Sequence, residues 1–312
     1  MPLELLVVLV ACLFAVVSGM NDGGALLATG LKLPSVRPAT GIVTIVLLIA
    51  VVPLLSHRVA ETFVTKLAGF DGEGGRQAMV LAVLSALTVV TVLSRQGRPT
   101  SLTLAIVGAL TGAGLGWGLP VSLGWVVLVL AVGFASPFAG AVASWAALRL
   151  LTVGTARRLH RWHRAAFLLE SVAYAANDGQ KMLAIFMIAL GFSGAPLWVT
   201  ALTAALFAAG ALYGMPRAGR TLSREILASR PLHGVAAELG AGITVIVCAA
   251  AGMPVSMTQA IAGGLIGAGM AQGTGRVRWH AALKIVSAWT LTLPVSLLIA
   301  FAGASFVKEV LV

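Results

Sequence analysis

Long apolar runs constrain this chain more than any other feature. Residues 3–31, 41–56, 77–93, 101–116, 122–150, 165–191, 196–214, 234–252, 256–270 and 279–301 are predominantly apolar, and short segments rich in Arg separate them. Barrel strands would alternate apolar and polar residues over about ten positions, whereas runs of this length suit helices crossing a hydrocarbon core about 30 Å thick. With 59% hydrophobic and 10% charged residues in 312, the chain has more apolar surface than a soluble core of that size can bury. The expected class is an all-α integral membrane protein in a lipid bilayer.

The net charge of +11 suggests nucleic acid only in a soluble protein. Here the Arg residues sit between apolar runs and read as a topology signal, so no nucleic-acid partner is expected. Arg157, Arg158, Arg161 and Arg164 form one cluster, and Arg217, Arg220, Arg224 and Arg230 form another in a basic loop over 215–231. Both clusters are expected on the cytoplasmic side, which puts both termini outside the cytoplasmic membrane. The first 20 residues lack the Lys/Arg start of a signal peptide and read as a retained helix. Cys12 and Cys248 lie within apolar runs and read as packing residues.

Two of those runs are interrupted by polar side chains. Asn21-Asp22 sits among Gly19, Gly23 and Gly24, and Asn177-Asp178 is followed by Gly179-Gln180-Lys181. A charge at bilayer depth costs at least about 2.5 kcal/mol, so such residues face a cavity, a partner or a ligand. The glycines and short polar groups suggest an unwound or kinked backbone at both places.

The two interruptions belong to a duplication. Asn177 follows Asn21 by 156 residues and Asp178 follows Asp22 by the same number, while Pro99, Ser101 and Thr103 recur as Pro254, Ser256 and Thr258 at 155. Gly108, Gly112 and Gly114 recur as Gly263, Gly267 and Gly269, also at 155. The expected organisation is a first repeat over 1–154, a basic cytoplasmic linker over 155–164 and a second repeat over 165–312. Each repeat carries an interrupted helix and a helical hairpin. The positive-inside rule places equivalent loops on opposite faces, which makes the repeats inverted in topology, as in many secondary transporters.

Chemistry follows from that arrangement. A helix starting after Pro99 or Pro254 offers free N–H groups and about half a positive charge, and Ser101, Thr103, Ser256 and Thr258 add hydroxyl donors in that first turn. Asn21, Asp22, Asn177 and Asp178 supply hard oxygen ligands for a sodium ion, or carboxylates for a proton. An anion site beside a cation site points to symport. An intramembrane aspartyl protease also needs two carboxylates, yet paired anion cradles have no role in that chemistry. No enzyme activity and no cofactor beyond the coupling ion are expected.

The stretches from Ala176 to Met182, from Gly252 to Thr258 and from Pro231 to Glu238, with Arg217, Thr221-Leu222 and Ala288 to Pro294, resemble the PiT-type inorganic phosphate transporters, in their compact bacterial form. The resemblance implies phosphate symport driven by sodium or protons, with a transport domain moving against a scaffold. It assigns Asn21, Asp22, Asn177 and Asp178 to ion and phosphate binding, and Ser101, Thr103, Ser256 and Thr258 to the phosphate-cradling tips. The family's tip carries a further hydroxyl and a histidine, where this chain has Leu102 or Met257 and Leu104 or Gln259. Sulfate or another oxyanion stays open as substrate, as do a non-transporting receptor or assembly subunit and a homodimer.

Accessory positions carry two readings each. Lys181 either pairs with Asp178 one turn away or meets the anion directly, and Gln180 lies beside it. Glu170, seven residues before Asn177, reads as a coupling carboxylate or as a partner of Lys181. Glu238 resembles a family position near the cytoplasmic end of its span, where interfacial solvation would also explain it. His233 reads as an interfacial histidine, and Trp117, Trp125, Trp198 and Trp279 as an aromatic belt.

Overall fold

The computed structural model describes residues 3–31, 33–95, 100–151, 156–225 and 231–311. Pro99, Thr155 and Arg230 lie outside the described residues, as do the side chains of Arg157, Arg217, Arg220, Thr221, Leu222 and Arg224. Among the described residues the regular elements are helical, apart from one isolated bridge between Ala68 and Val121.

Helix α1 (Leu3–Ser18) passes through a π-helical turn (Gly19–Gly23) into α2 (Gly24–Gly30), and α3 (Pro38–Leu55) follows. The short α4 (Arg58–Glu61) continues through another π-helical turn (Thr62–Leu67) to the hairpin of α5 (Gly72–Arg95) and α6 (Leu102–Trp117), then to α7 (Leu123–Leu151). A second series has the same order. It comprises α8 (Ala156–Tyr174), a π-helical turn (Ala175–Gly179), α9 (Gln180–Leu190), α10 (Leu197–Glu225), the hairpin of α11 (Pro231–Ala250) and α12 (Met257–Met270), and α13 (Trp279–Leu311).

Two expectations, the basic loop over 215–231 and the basic linker over 155–164, are corrected. The stretch 215–231 is helical through Glu225, because Arg, Leu and Glu propagate a helix well and α10 simply continues beyond the apolar part. Residues 156–164 are the first turns of α8, so the basic segment is a helix start. The glycine-rich stretch after Asp71 is the first turn of α5, entered through Gly72 at φ 75°, a left-handed backbone that glycine adopts without strain.

Among the described residues, seven helices are long and apolar enough to cross a membrane. Helices α6, with 16 residues, and α12, with 14, are shorter. At 1.5 Å per residue they reach about 24 and 21 Å, short of a hydrocarbon core of about 30 Å. Ser101 and Ser256, which precede these two short helices, are buried inside the protein.

The two series interlock. Helix α6 packs on α13 from the other series, and α12 packs on α7; α10 covers the first Asn-Asp turn, and α3 covers the second. Bilayer helices gain little from burial alone and depend on close backbone approach. A Cβ on Gly108 or Gly112 would meet the carbonyl oxygen of Leu293 or Leu297, and one on Gly263 or Gly267 that of Pro137 or Ala141. The duplicated glycines are thus duplicated helix contacts. Leu47, Phe138 and Leu298 on α3, α7 and α13 point outward, whereas α9 is buried throughout 180–189, as suits a lipid-facing shell around a central helix.

Candidate ion and oxyanion site

Both Asn-Asp pairs lie in π-helical turns, and the helix does not unwind there. The Gly24 N–H donates to the Gly19 carbonyl five residues back, and Ser18 and Gly24 keep right-handed helical angles. A wide turn holds the polar pair while leaving backbone groups bonded, and such single-turn insertions recur at functional sites. Packing explains the glycines of the first turn: a Cβ on Gly19 would overlap the Phe207 carbonyl, and one on Gly23 the Phe207 ring. Gly179 in the second turn has only ordinary contacts with Pro53 and Ile49.

The second turn converges with both hairpin tips on one residue, Val255. Asn177 clamps it from both sides, its Nδ2 donating to the Val255 carbonyl at 2.7 Å and its Oδ1 accepting from the Val255 N–H at 3.2 Å. Thr103, from the other hairpin, donates to the same carbonyl at 3.1 Å, and the Lys181 ammonium does so at 2.5 Å. Lys181 also donates to Asp178 Oδ1 at 2.9 Å and to Thr103 Oγ1 at 2.6 Å, while Asn177 Nδ2 donates to Asp178 Oδ2 at 3.1 Å. Asn177, Asp178 and Lys181 are all buried, and so is Thr103.

In the first turn Asp22 is buried and accepts a 3.1 Å bond from Nδ2 of the half-buried Asn21. The charges of Asp178 and Lys181 act on Asp22, so the two aspartates share one electrostatic environment. Ser18 and Tyr174, themselves 156 residues apart, meet at 3.5 Å between the turns, and Tyr174 stacks obliquely on Phe207 with ring centroids 5.2 Å apart.

Ser101 and Ser256 are N-caps. Each accepts a bond from the backbone N–H three residues on, Leu104 at 3.2 Å and Gln259 at 3.4 Å. Ser256 and Thr258 also share a 2.8 Å hydroxyl contact. Ser256-x-x-Gln259 is the sequence of a capping box, but only its serine half forms. The buried Gln259 amide has no hydrogen-bond partner at either end among the described residues.

The accessory residues separate from this centre. Gln180 anchors a neighbouring element, its Oε1 accepting from the N–H of Val59 at 2.7 Å and of Ala60 at 3.4 Å at the start of α4. Glu170 is no partner of Lys181: it faces α11, where Glu238 acts on it, and neither of its buried oxygens has a hydrogen-bond partner among the described residues. The extra residue of the wide turn at 175–179 breaks the two-turn register that spacing alone suggests. Glu238 is buried, with His163 Nε2 at 3.7 Å, and His163 Nδ1 meets Ser35 Oγ at 2.6 Å, so interfacial solvation does not explain that carboxylate. His233 is also fully buried and Trp117 packs inside, which removes both from the interfacial roles expected of them, while Trp198 and Trp279 face outward.

Val255 and Tyr174 are absent from the residues singled out by sequence, and Gln259 figures there only as the replacement for the histidine of the family's tip. Val255 acts through main-chain atoms, which leave no trace in residue type. Tyr174 stands opposite Ser18 in the duplication, and Gln259 carried a signal in its capping-box spacing.

A family model described as the phosphate transporter family matches residues 162–300. The chain is 30% identical over 318 aligned positions to a Rhizobium meliloti (strain 1021) protein described as a probable low-affinity inorganic phosphate transporter, covering 96% of this chain and 94% of that one. A Bacillus subtilis (strain 168) protein with the same description is 24% identical, again over 94% of each chain. Among solved structures, one described as the sodium-dependent phosphate transporter has the same fold, with a TM-score of 0.85 over all of both chains at 16% identity. Matched almost end to end at the level of the Rhizobium relative, this multi-pass membrane protein belongs to the phosphate transporter family, a family of transporters and not of enzymes.

Proposed function

We infer that the chain is a secondary active symporter carrying inorganic phosphate across the cytoplasmic membrane, coupled to sodium or protons. The meeting of Thr103, Asn177, Asp178 and Lys181 at Val255 carries this reading, because it sets both hairpin tips against a carboxylate-bearing helical turn. Each tip brings helix-start N–H groups and a serine O–H to one place, a donor set for an oxyanion. Dihydrogen phosphate donates as well as accepts, whereas sulfate only accepts. The Gln259 amide provides an acceptor for those protons, which favours phosphate and agrees with the descriptions of the relatives. Asp22 and Asp178 serve the coupling ion, with Asn21 and Asn177 orienting them. Glu170 and Glu238 form a separate buried acidic pair on α8 and α11 that contributes to coupling at a distance.

The two series act as inverted repeats over 1–154 and 165–312, with the basic segment 155–164 cytoplasmic and both termini outside. Uptake of radiolabelled phosphate and sulfate by proteoliposomes under imposed sodium or pH gradients tests the reading. Phosphate accumulation driven by one of these gradients is expected. No accumulation of phosphate under any gradient would overturn it.

A further inference from the structure

We propose that Lys181 is a tethered coupling cation: its ammonium fills the cation position of the second repeat, so that one mobile cation, bound at Asp22, accompanies each phosphate. The proposal rests on the symport reading above. An ammonium has three N–H donors, and Lys181 directs them at three oxygens from three parts of the chain. These are Asp178 Oδ1 in the wide turn at 2.9 Å, Thr103 Oγ1 at the start of α6 at 2.6 Å, and the Val255 carbonyl in the other hairpin tip at 2.5 Å. With its donors used, the ammonium has none left for an anion in this arrangement, which separates Lys181 from a phosphate-contacting role.

A carboxylate, a hydroxyl and a main-chain carbonyl are the oxygens that hold a hard cation, and carbonyls from broken or re-entrant helices are the usual sodium ligands of transporters built from repeats. The Val255 carbonyl is also the acceptor for Asn177 and Thr103, so its oxygen faces more donors than it has lone pairs, as at a point that favours positive charge. The protein thus presents three oxygens of the kinds that bind a hard cation, with an amino-acid ammonium held among them. Lys181 is 4% exposed, and its burial depends on that shell.

The first repeat lacks the equivalent group. Subtracting 156 from Asp178 gives Asp22, and subtracting it from Lys181 gives Ala25. Asp22 is 2% exposed and accepts its side-chain hydrogen bond from a neutral amide, Asn21. A buried carboxylate requires a proton or a cation. For Asp178 the cation is covalently attached within hydrogen-bond distance; Asp22 has no such ammonium, and its proton or cation comes from solution.

Substituting Lys181→Ala gives the second repeat the residue that the first already has. Equilibrium binding of radioactive sodium to the purified full-length protein, with phosphate present, should show one more sodium per chain in K181A than in the wild type. Equal numbers in a folded K181A, or two sodium ions per wild-type chain, overturn the proposal. If K181A fails to fold, the wild-type transport ratio decides: one coupling cation per phosphate, taken from the gradient at which net flux reverses, is expected, and two overturns the idea. A wild-type protein that takes up no phosphate removes the symport reading instead, and the sodium counts still decide the fate of Lys181.

Discussion

Asp178 is buried with a counter-charge three residues away, and few single atoms in this protein have as much depending on them. Replacing it by Asn keeps the shape and removes the charge that Lys181 faces, and breaking a buried pair costs about 3–5 kcal/mol. With no carboxylate left at that position to serve the coupling ion, Asp178→Asn should abolish coupled uptake in protein that still inserts in the membrane, measured as phosphate flux per inserted chain. At Gln259 the expected effect is on affinity. A hydrogen bond to a charged ligand contributes about 1.5–3 kcal/mol, so Gln259→Leu, which copies Leu104 of the first repeat, should raise the phosphate KM about tenfold or more with little change in maximal rate. An unchanged KM would remove Gln259 from the site. The Asn-Asp pairs and the tip hydroxyls were legible because polar groups are conspicuous in apolar runs. The partner of Lys181 was only half legible, since a flexible side chain reaches Asp178, Thr103 and Val255 alike and spacing names only the first.

At the level of elements, duplication was readable by subtraction, but local geometry was not. Both Asn-Asp segments read as breaks, and both are continuous helix with one wide turn, because glycine and asparagine lower helix propensity whether or not the backbone bonds persist. Charge likewise made residues 217–225 read as loop, although the helix runs on through them. The small residues at α6–α13 and α12–α7 make a sharper forecast. A side chain at Gly112 or Gly267 meets a carbonyl oxygen of the facing helix, and overpacking costs about 1–3 kcal/mol. Gly112→Val and Gly267→Val should each lower the unfolding temperature in detergent by several degrees, and to a similar extent. Gly275→Ala, with nothing near its would-be Cβ, should leave it unchanged.

For the molecule as a whole, the interlocked contacts of α6 with α13 and α12 with α7 tie the halves together, while the direction in which each half faces the membrane follows from charge alone. Cysteine placed at exposed Asp71 should react with a membrane-impermeant maleimide from outside the cell, and cysteine at exposed His160 only after the membrane is opened, in a background lacking Cys12 and Cys248. The reverse pattern would invert the topology. One contact has a property that none of the others shares. Ser18 and Tyr174 are 156 residues apart, the offset that separates the two Asn-Asp pairs, and they touch each other, so the duplicated sequence meets itself at this contact. An exchange of conformations between the two series, as the proposed inverted arrangement requires, would give position 18 the surroundings of 174 and position 174 those of 18, so their contact is one that both arrangements can keep.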